Sequence, residues 1–344
     1  MREPPIPIRV RMIITLTDDA DLNAVRAALS ELGLWVHEFG GRRGTTQFLV
    51  RPYSGHVDPA ALLSVPGVAD VSEQPRRHPL VDAQPAEVRI GGTRIGGDAA
   101  PVLMAGPCSV ESEDQIHTVA RRLAELGARF LRGGAFKPRT SPYDFQGFGK
   151  EALDWLRDAA DAHGLQVVTE AMSESTMADV AEVADLIQIG SRNMHNTPLL
   201  QAAGRTGKPV LVKRGMAATV DEWLAAGEYC LEAGAPAVVF CERGIRSFDV
   251  RTRNFLDLAS VALLRHVHRQ PVIVDPSHAL GRRDLVLPLG RAAIAAGAAG
   301  LLVEVHPNPG AALSDGPQAV SFELAGELAA LTRGDRPAFL AGES

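Results

Sequence analysis

The sequence predicts an α/β fold: a (β/α)8 TIM barrel preceded by a small βαββαβ ferredoxin-like domain. After Ala100, eight short apolar or β-branched runs alternate with Ala- and Leu-rich amphipathic segments. The runs are apolar without alternation, as strands buried on both faces must be. Eight βα repeats in about 230 residues fit a closed barrel better than an open doubly wound sheet. The order of short elements before residue 72 predicts the small domain.

Residues 8–16 (IRVRMIITL) read as a strand, and Ala20 to Leu32 carries apolar residues at helical spacing. Leu34 to Phe39 and Thr45 to Val50 form a hairpin punctuated by GGRRG, and a helix at Pro59 to Leu63 with a strand at Val68 to Val71 completes the domain, set at 1–72. Residues 73–100 are expected to be a linker, rich at first in Pro, Arg, Asp and Gln, ending in a β-hairpin around Gly91 to Thr93. The barrel is expected over 101–332, with strands starting at Val102, Ala128, Gln166, Asp185, Pro209, Ala237, Pro271 and Gly300. Ser112 with Gln115, and Thr219 with Glu222, have capping-box spacing at two helix starts. Residues 333–344 read as a frayed tail.

The 344 residues carry 35 basic and 41 acidic side chains, a formal charge of −6, which argues against bulk binding to nucleic acid or an anionic membrane surface. The N-terminus MREPPIPIRVRM lacks the apolar run of a signal peptide, and no uncharged apolar stretch nears the roughly 18 residues of a membrane span. The expectation is a cytoplasmic protein. Three scattered cysteines, Cys108, Cys230 and Cys241, make no disulfide framework, and the last two fall in a helix and a strand as core residues do.

In a barrel the strand C-termini converge on one face. Those ends carry Cys108, Arg132 with Lys137 and Arg139, Glu170, Arg192, Lys213, Arg243, Asp275 with His278, and Glu304 with His306, followed by Asp315. Cys108, His278, Glu304 and Asp315 combine one soft, one borderline and two hard donors, a set suited to a divalent transition metal such as Mn, Fe, Co or Zn. Arg132, Arg192, Lys213 and Arg243 place four cations in one mouth, as recognition of a multiply charged phosphate ester requires. Glu170 is expected either to balance these cations or to pair structurally with Lys137 or Lys213, and His306 to stand behind Glu304.

AGPCSVES, LRGGAFKPRTSPYDFQG, IQIGSRNMHN, PVLVKRG, DPSHALGRRD and EVHPNPGAALSDGPQ resemble the 3-deoxy-D-arabino-heptulosonate 7-phosphate (DAHP) synthases of the type I beta group, from about Leu103 to about Val320. The resemblance implies condensation of phosphoenolpyruvate with erythrose 4-phosphate, with metal ligands at Cys108, His278, Glu304 and Asp315. Phosphoenolpyruvate contacts are implied at Arg132, Lys213, Arg192 and Arg243, with Asp275 beside them, and the sugar phosphate at Lys137, Pro138, Arg139 and Thr140. Lys137 is the expected proton donor to the forming hydroxyl, and Cys108 and His278 are expected to be essential to turnover. The related 3-deoxy-D-manno-octulosonate 8-phosphate synthases, which take arabinose 5-phosphate, resemble KANRS where this chain has KPRT. That enzyme and a non-catalytic amino-acid sensor on the same barrel are the alternatives. The resemblance further implies a homotetramer and Tyr or Phe as feedback effector at the small domain.

Overall fold

The computed structural model describes residues 12–40, 45–50, 58–73, 77–137, 141, 143 and 145–333. Contacts divide the chain into two compact units, Met1–Pro79 and Leu80–Ser344.

The first unit runs β1 (Met12–Leu16), α1 (Leu22–Glu31), β2 (Val36–Gly40), β3 (Thr46–Val50), α2 (Pro59–Leu63) and β4 (Val68–Glu73). Its antiparallel sheet has the order β2-β3-β1-β4, the ferredoxin-like arrangement. Alternation along β1 buries Met12, Ile14 and Leu16, which pack with Val25 and Leu29 of α1, Phe48 and Leu62. Asp21 starts α1 by accepting from the Asn23 and Ala24 amides, and Asp58 precedes Pro59 at the first position of α2.

In the second unit α3 (Pro79–Ala83) and a hairpin of β5 (Glu87–Ile90) and β6 (Thr93–Gly96) come first. The hairpin lies where the sequence placed it, and α3 is an ordered element in the stretch expected as linker. Ile90 and Ile95 of the hairpin are fully buried in one cluster with Met104, Phe130, Val168, Leu211 and Ile273 from the barrel strands, so the hairpin is part of the barrel core.

The barrel strands are β7 (Val102–Gly106), β8 (Phe130–Arg132), β9 (Gln166–Ala171), β10 (Leu186–Ile189), β11 (Val210–Lys213), β12 (Val238–Glu242), β13 (Val272–Val274) and β14 (Gly300–Glu304). They are all parallel, and pairing of β14 with β7 closes the cylinder. Between and after them lie α4 (Glu113–Glu125), α5 (Lys150–Ala162), α6 (Met177–Val183), α7 (Thr197–Arg205), α8 (Val220–Glu232), α9 (Leu258–Ala262), α10 (Pro276–Leu280), α11 (Val286–Ala295) and α12 (Phe322–Thr332). Strand residues pointing outward, such as Leu103, Val167 and Val303, share the larger core with these helices. Cys230 in α8 and Cys241 in β12 are fully buried. Among the described residues no helix is long and apolar enough to cross a membrane.

Both halves of the capping box form at α8, where Thr219 and Glu222 exchange side chain to backbone bonds. At α4 only half forms. Ser112 accepts from the Gln115 amide, while the Gln115 side chain reaches the Glu111 amide instead of its N-cap.

Gly106 ends β7 with φ +150, and a Cβ there would lie 2.0 Å from the Arg132 carbonyl oxygen. Only glycine lets the ends of β7 and β8 approach this closely. Gly207 (φ +68) has no atom within 4 Å of such a Cβ. In urea unfolding, G106A is expected to lose about 3 kcal/mol or more through the clash, and G207A only about 1–2 kcal/mol of backbone strain.

Candidate active site and metal centre

The strand ends bring four donors together: one ligand atom each from Cys108, His278, Glu304 and Asp315, all within 4.8 Å of one another. Each arrives by a different local device. Cys108 sits two residues beyond β7, after the Gly106 approach. Glu304 is the last residue of β14 and is fully buried. His278 lies in the short helix α10, whose N-cap Asp275 accepts from the His278 amide through Oδ1 at 2.9 Å. Asp315, in the loop after β14, holds a left-handed backbone at φ +50, uncommon for a residue other than glycine.

Electrostatics bind these groups to the neighbouring cations. Arg132 Nη1 donates to Glu304 Oε1 at 3.1 Å and to the Pro107 carbonyl at 2.9 Å. Lys137 Nζ lies 2.9 Å from both the carbonyl oxygen and the Sγ of Cys108. Lys213 Nζ donates to Asp275 Oδ2 at 2.5 Å, and the same oxygen meets His278 Nδ1 at 2.8 Å. Burial alone would raise Asp275, yet the His278 ring and the Lys213 ammonium hold it well below the usual carboxylate range. Glu304 is likewise lowered against the effect of burial, by the His278 ring in its charged form and by the Arg132 guanidinium.

The donor set fits a divalent transition metal on two further observations. Burial lowers His278, favouring the neutral ring. With Nδ1 donating to Asp275, the Nε2 lone pair then faces Glu304 Oε1 at 3.2 Å. Two acceptors so close call for a cation. Burial and the Glu304 charge push the Cys108 thiol up to about 12, and its Sγ meets Asp315 Oδ2 at 3.1 Å. A divalent cation among these groups would displace the thiol proton, because thiolates are the ligands. The Asp275 partner of His278 is the kind of outer contact that fixes a ligating imidazole.

Of the cations expected in the mouth, Arg132, Lys213 and Arg243 are buried, and the first two already answer to protein carboxylates. Arg243 donates to the carbonyls of Gly244 and His278. Arg192 stands exposed on the turn Ser191–Asn193 and joins none of these contacts. Pro138, Arg139 and Thr140 lie outside the described residues. Glu170 bonds Gln188 on the adjacent strand at 2.9 Å, so its structural partner is neither Lys137 nor Lys213. His306 faces Glu111 at 3.3 Å, not the donor cluster.

Some groups at the rim carry no signal of their own in the sequence. Gln318 Nε2 donates to Glu304 Oε2 at 2.5 Å, and Arg253 Nη1 donates to Gln318 Oε1 at 3.2 Å. Arg214 and Glu242, next in sequence to Lys213 and Arg243, form a buried pair at 3.0 Å together with Asp257 and Ser260. Strand alternation turns these two to the face opposite Lys213 and Arg243.

A TIM barrel whose strand C-termini gather four possible metal donors beside buried cations has the form of a barrel enzyme. The chain matches the model of the DAHP synthetase I family over residues 76–339 and belongs to that family. It is 52% identical over 241 residues to phospho-2-dehydro-3-deoxyheptonate aldolase of Thermotoga maritima, spanning 70% of this chain and 71% of that protein. A 2-dehydro-3-deoxyphosphooctonate aldolase of Alkalilimnicola ehrlichii is 34% identical over 256 residues, spanning 69% of this chain and 91% of its own. The crystal structure of the Thermotoga maritima DAHP synthase superposes with a TM-score of 0.74 at 41% identity, covering 95% of this chain and 97% of that one.

Replacing Asp275 by Asn strands Lys213 in a buried site, at an expected cost of about 3–5 kcal/mol. Because the folded carboxyl is lowered, its contribution is fully present above the unfolded value near 3.9 and lost as pH falls through the folded one. Urea midpoints of wild type and D275N should therefore differ by a constant amount between about pH 5 and 7 and converge below about pH 4.

Proposed function

We propose that this protein condenses phosphoenolpyruvate with erythrose 4-phosphate to DAHP and inorganic phosphate, the first step of the shikimate pathway to aromatic amino acids, with one divalent transition metal held by Cys108, His278, Glu304 and Asp315. The observation that carries this reading is the four-donor cluster lying directly against Arg132 and Lys137 in a chain of this family.

C3 of phosphoenolpyruvate attacks the aldehyde carbon, water adds at C2, and phosphate leaves with cleavage of the C–O bond. Arg132, Arg192, Lys213 and Arg243 bind the phosphate and carboxylate and stabilise charge that develops at C2. Lys137 delivers a proton to the forming hydroxyl, supported by its ammonium lying beside Cys108. Asp275 holds the Lys213 side chain in place and orients His278. When bound, Mn, Fe, Co or Zn supplies Lewis acidity toward the aldehyde oxygen. KPRT at 137–140 favours the four-carbon sugar, whose phosphate is assigned to Lys137, Pro138, Arg139 and Thr140.

The second reading, 3-deoxy-D-manno-octulosonate 8-phosphate synthase, is supported by the 34% identity to 2-dehydro-3-deoxyphosphooctonate aldolase. The ferredoxin-like unit suits a regulatory role with Tyr or Phe as effector, in a cytoplasmic homotetramer.

Phosphoenolpyruvate consumption, followed with each sugar phosphate, tests the reading. Turnover is expected with erythrose 4-phosphate, to be abolished by chelator, restored by Mn2+ or Co2+, and lost in C108S. Turnover with arabinose 5-phosphate alone would establish the second reading, and full activity under chelator would overturn the metal assignment. Added Tyr or Phe should slow the reaction; insensitivity to both would remove the regulatory role.

A further inference from the structure

The loop that carries Asp315 makes a second connection to the donor cluster. Gln318 is 3% exposed, and three of its polar groups are engaged at once. Its Nε2 donates to Glu304 Oε2 at 2.5 Å, its Oε1 accepts from Arg253 Nη1 at 3.2 Å, and its backbone amide donates to the Asp315 carbonyl at 3.2 Å. Arg253 Nη1 also lies 3.6 Å from Asp315 Oδ1. One residue thus ties two of the four donors to each other and to an arginine on the loop after β12.

The chemistry of the amide fixes its direction. Turned the other way, the amide oxygen would face a carboxylate oxygen and the NH2 would face a guanidinium, both repulsive. Gln318 must therefore donate to Glu304. That bond occupies Oε2 and leaves Oε1, the oxygen that faces His278 Nε2 and takes Arg132, turned toward the cluster. The amide is uncharged, so it orients the carboxylate without neutralising it. On the other side, the turn from Asp315 to Gln318 is closed by the backbone bond and holds Asp315 in its left-handed conformation at φ +50.

We propose that Gln318 is a positioning residue for the metal: it presents Glu304 through a single oxygen, holds the Asp315 turn, and is itself held by Arg253. The inference rests on the metal-site reading above. Outer contacts of this kind typically change metal affinity by about 10–100-fold when removed.

The test uses the full-length protein, stripped by chelator and dialysed, with Mn2+ binding measured by equilibrium dialysis and the urea midpoint of each stripped variant recorded. Q318L is expected to weaken Mn2+ binding by about 10–100-fold while the protein remains folded. Q318E keeps the shape and the Arg253 contact but sets a carboxylate against Glu304, and should weaken binding as well. R253M should weaken it less, and Q318L/R253M should bind like Q318L alone, because both changes break one chain of contacts. Folded Q318L binding Mn2+ within about twofold of wild type, a change too small for this role, would overturn the proposal. If Q318L does not fold, R253M with unchanged affinity overturns it instead. Fully additive losses would overturn the link through Arg253. C108S separates the two levels: Mn2+ binding to wild type that C108S leaves intact refutes the metal site itself, whereas loss in C108S with none in Q318L refutes only the role of Gln318.

Discussion

Burying the Glu304 carboxylate at the end of β14, wholly out of water, costs several kcal/mol unless donors and opposite charge meet it. The barrel meets it with Arg132 from β8 and Gln318 from the loop beyond β14, and sets the His278 ring of α10 against it. Serving one carboxylate draws three separate segments to one point. Close approach at Gly106 brings the β7 end, and Cys108 just past it, against the same point. Cys108 then meets Asp315 and Lys137, and the donor cluster is complete. The geometry of the site follows from solving the burial of this charge.

Asp275 has the corresponding role at the neighbouring strand end. It is fully buried, caps α10, accepts from Lys213 and orients His278. The two carboxylates share the imidazole between them, so the cation that Lys213 offers and the lone pair that His278 offers are set by one hydrogen-bonded chain. Behind the mouth, Arg214 and Glu242 with Asp257 and Ser260 tie the ends of β11 and β12 to α9. The strand ends that carry Lys213 and Arg243 are thereby held from the outer side.

Eight uniformly apolar runs were legible as a barrel because a strand covered on both faces leaves no polar alternation. The four donors were legible because a barrel turns distant strand ends into neighbours. What escaped has definite causes. Arg214 and Glu242 adjoin singled-out residues but face the opposite way. Gln318 and Arg253 sit in irregular loops, where no period says what a side chain meets. Glu170 places its charge near Arg132 but takes its hydrogen bond from Gln188, and His306, placed behind Glu304 by alternation, meets Glu111 instead. Gln115 has the spacing of a capping box, but its amide found the Glu111 amide first. The hairpin of β5 and β6 was legible from its glycines, but not its place in the barrel core, which Ile90 and Ile95 carry.

Cys108, His278, Glu304 and Asp315 are proposed to act as one metal site in a condensing enzyme. Cobalt titration read by absorption tests this most directly, since a thiolate bound to Co2+ gives an intense sulfur-to-metal charge-transfer band that oxygen and nitrogen ligands do not. That band is expected at one equivalent of Co2+ in wild type and absent in C108S, with erythrose 4-phosphate-dependent consumption of phosphoenolpyruvate rising in step with it. Cobalt-dependent turnover without the band, or a band that saturates with no activity, would contradict the proposal.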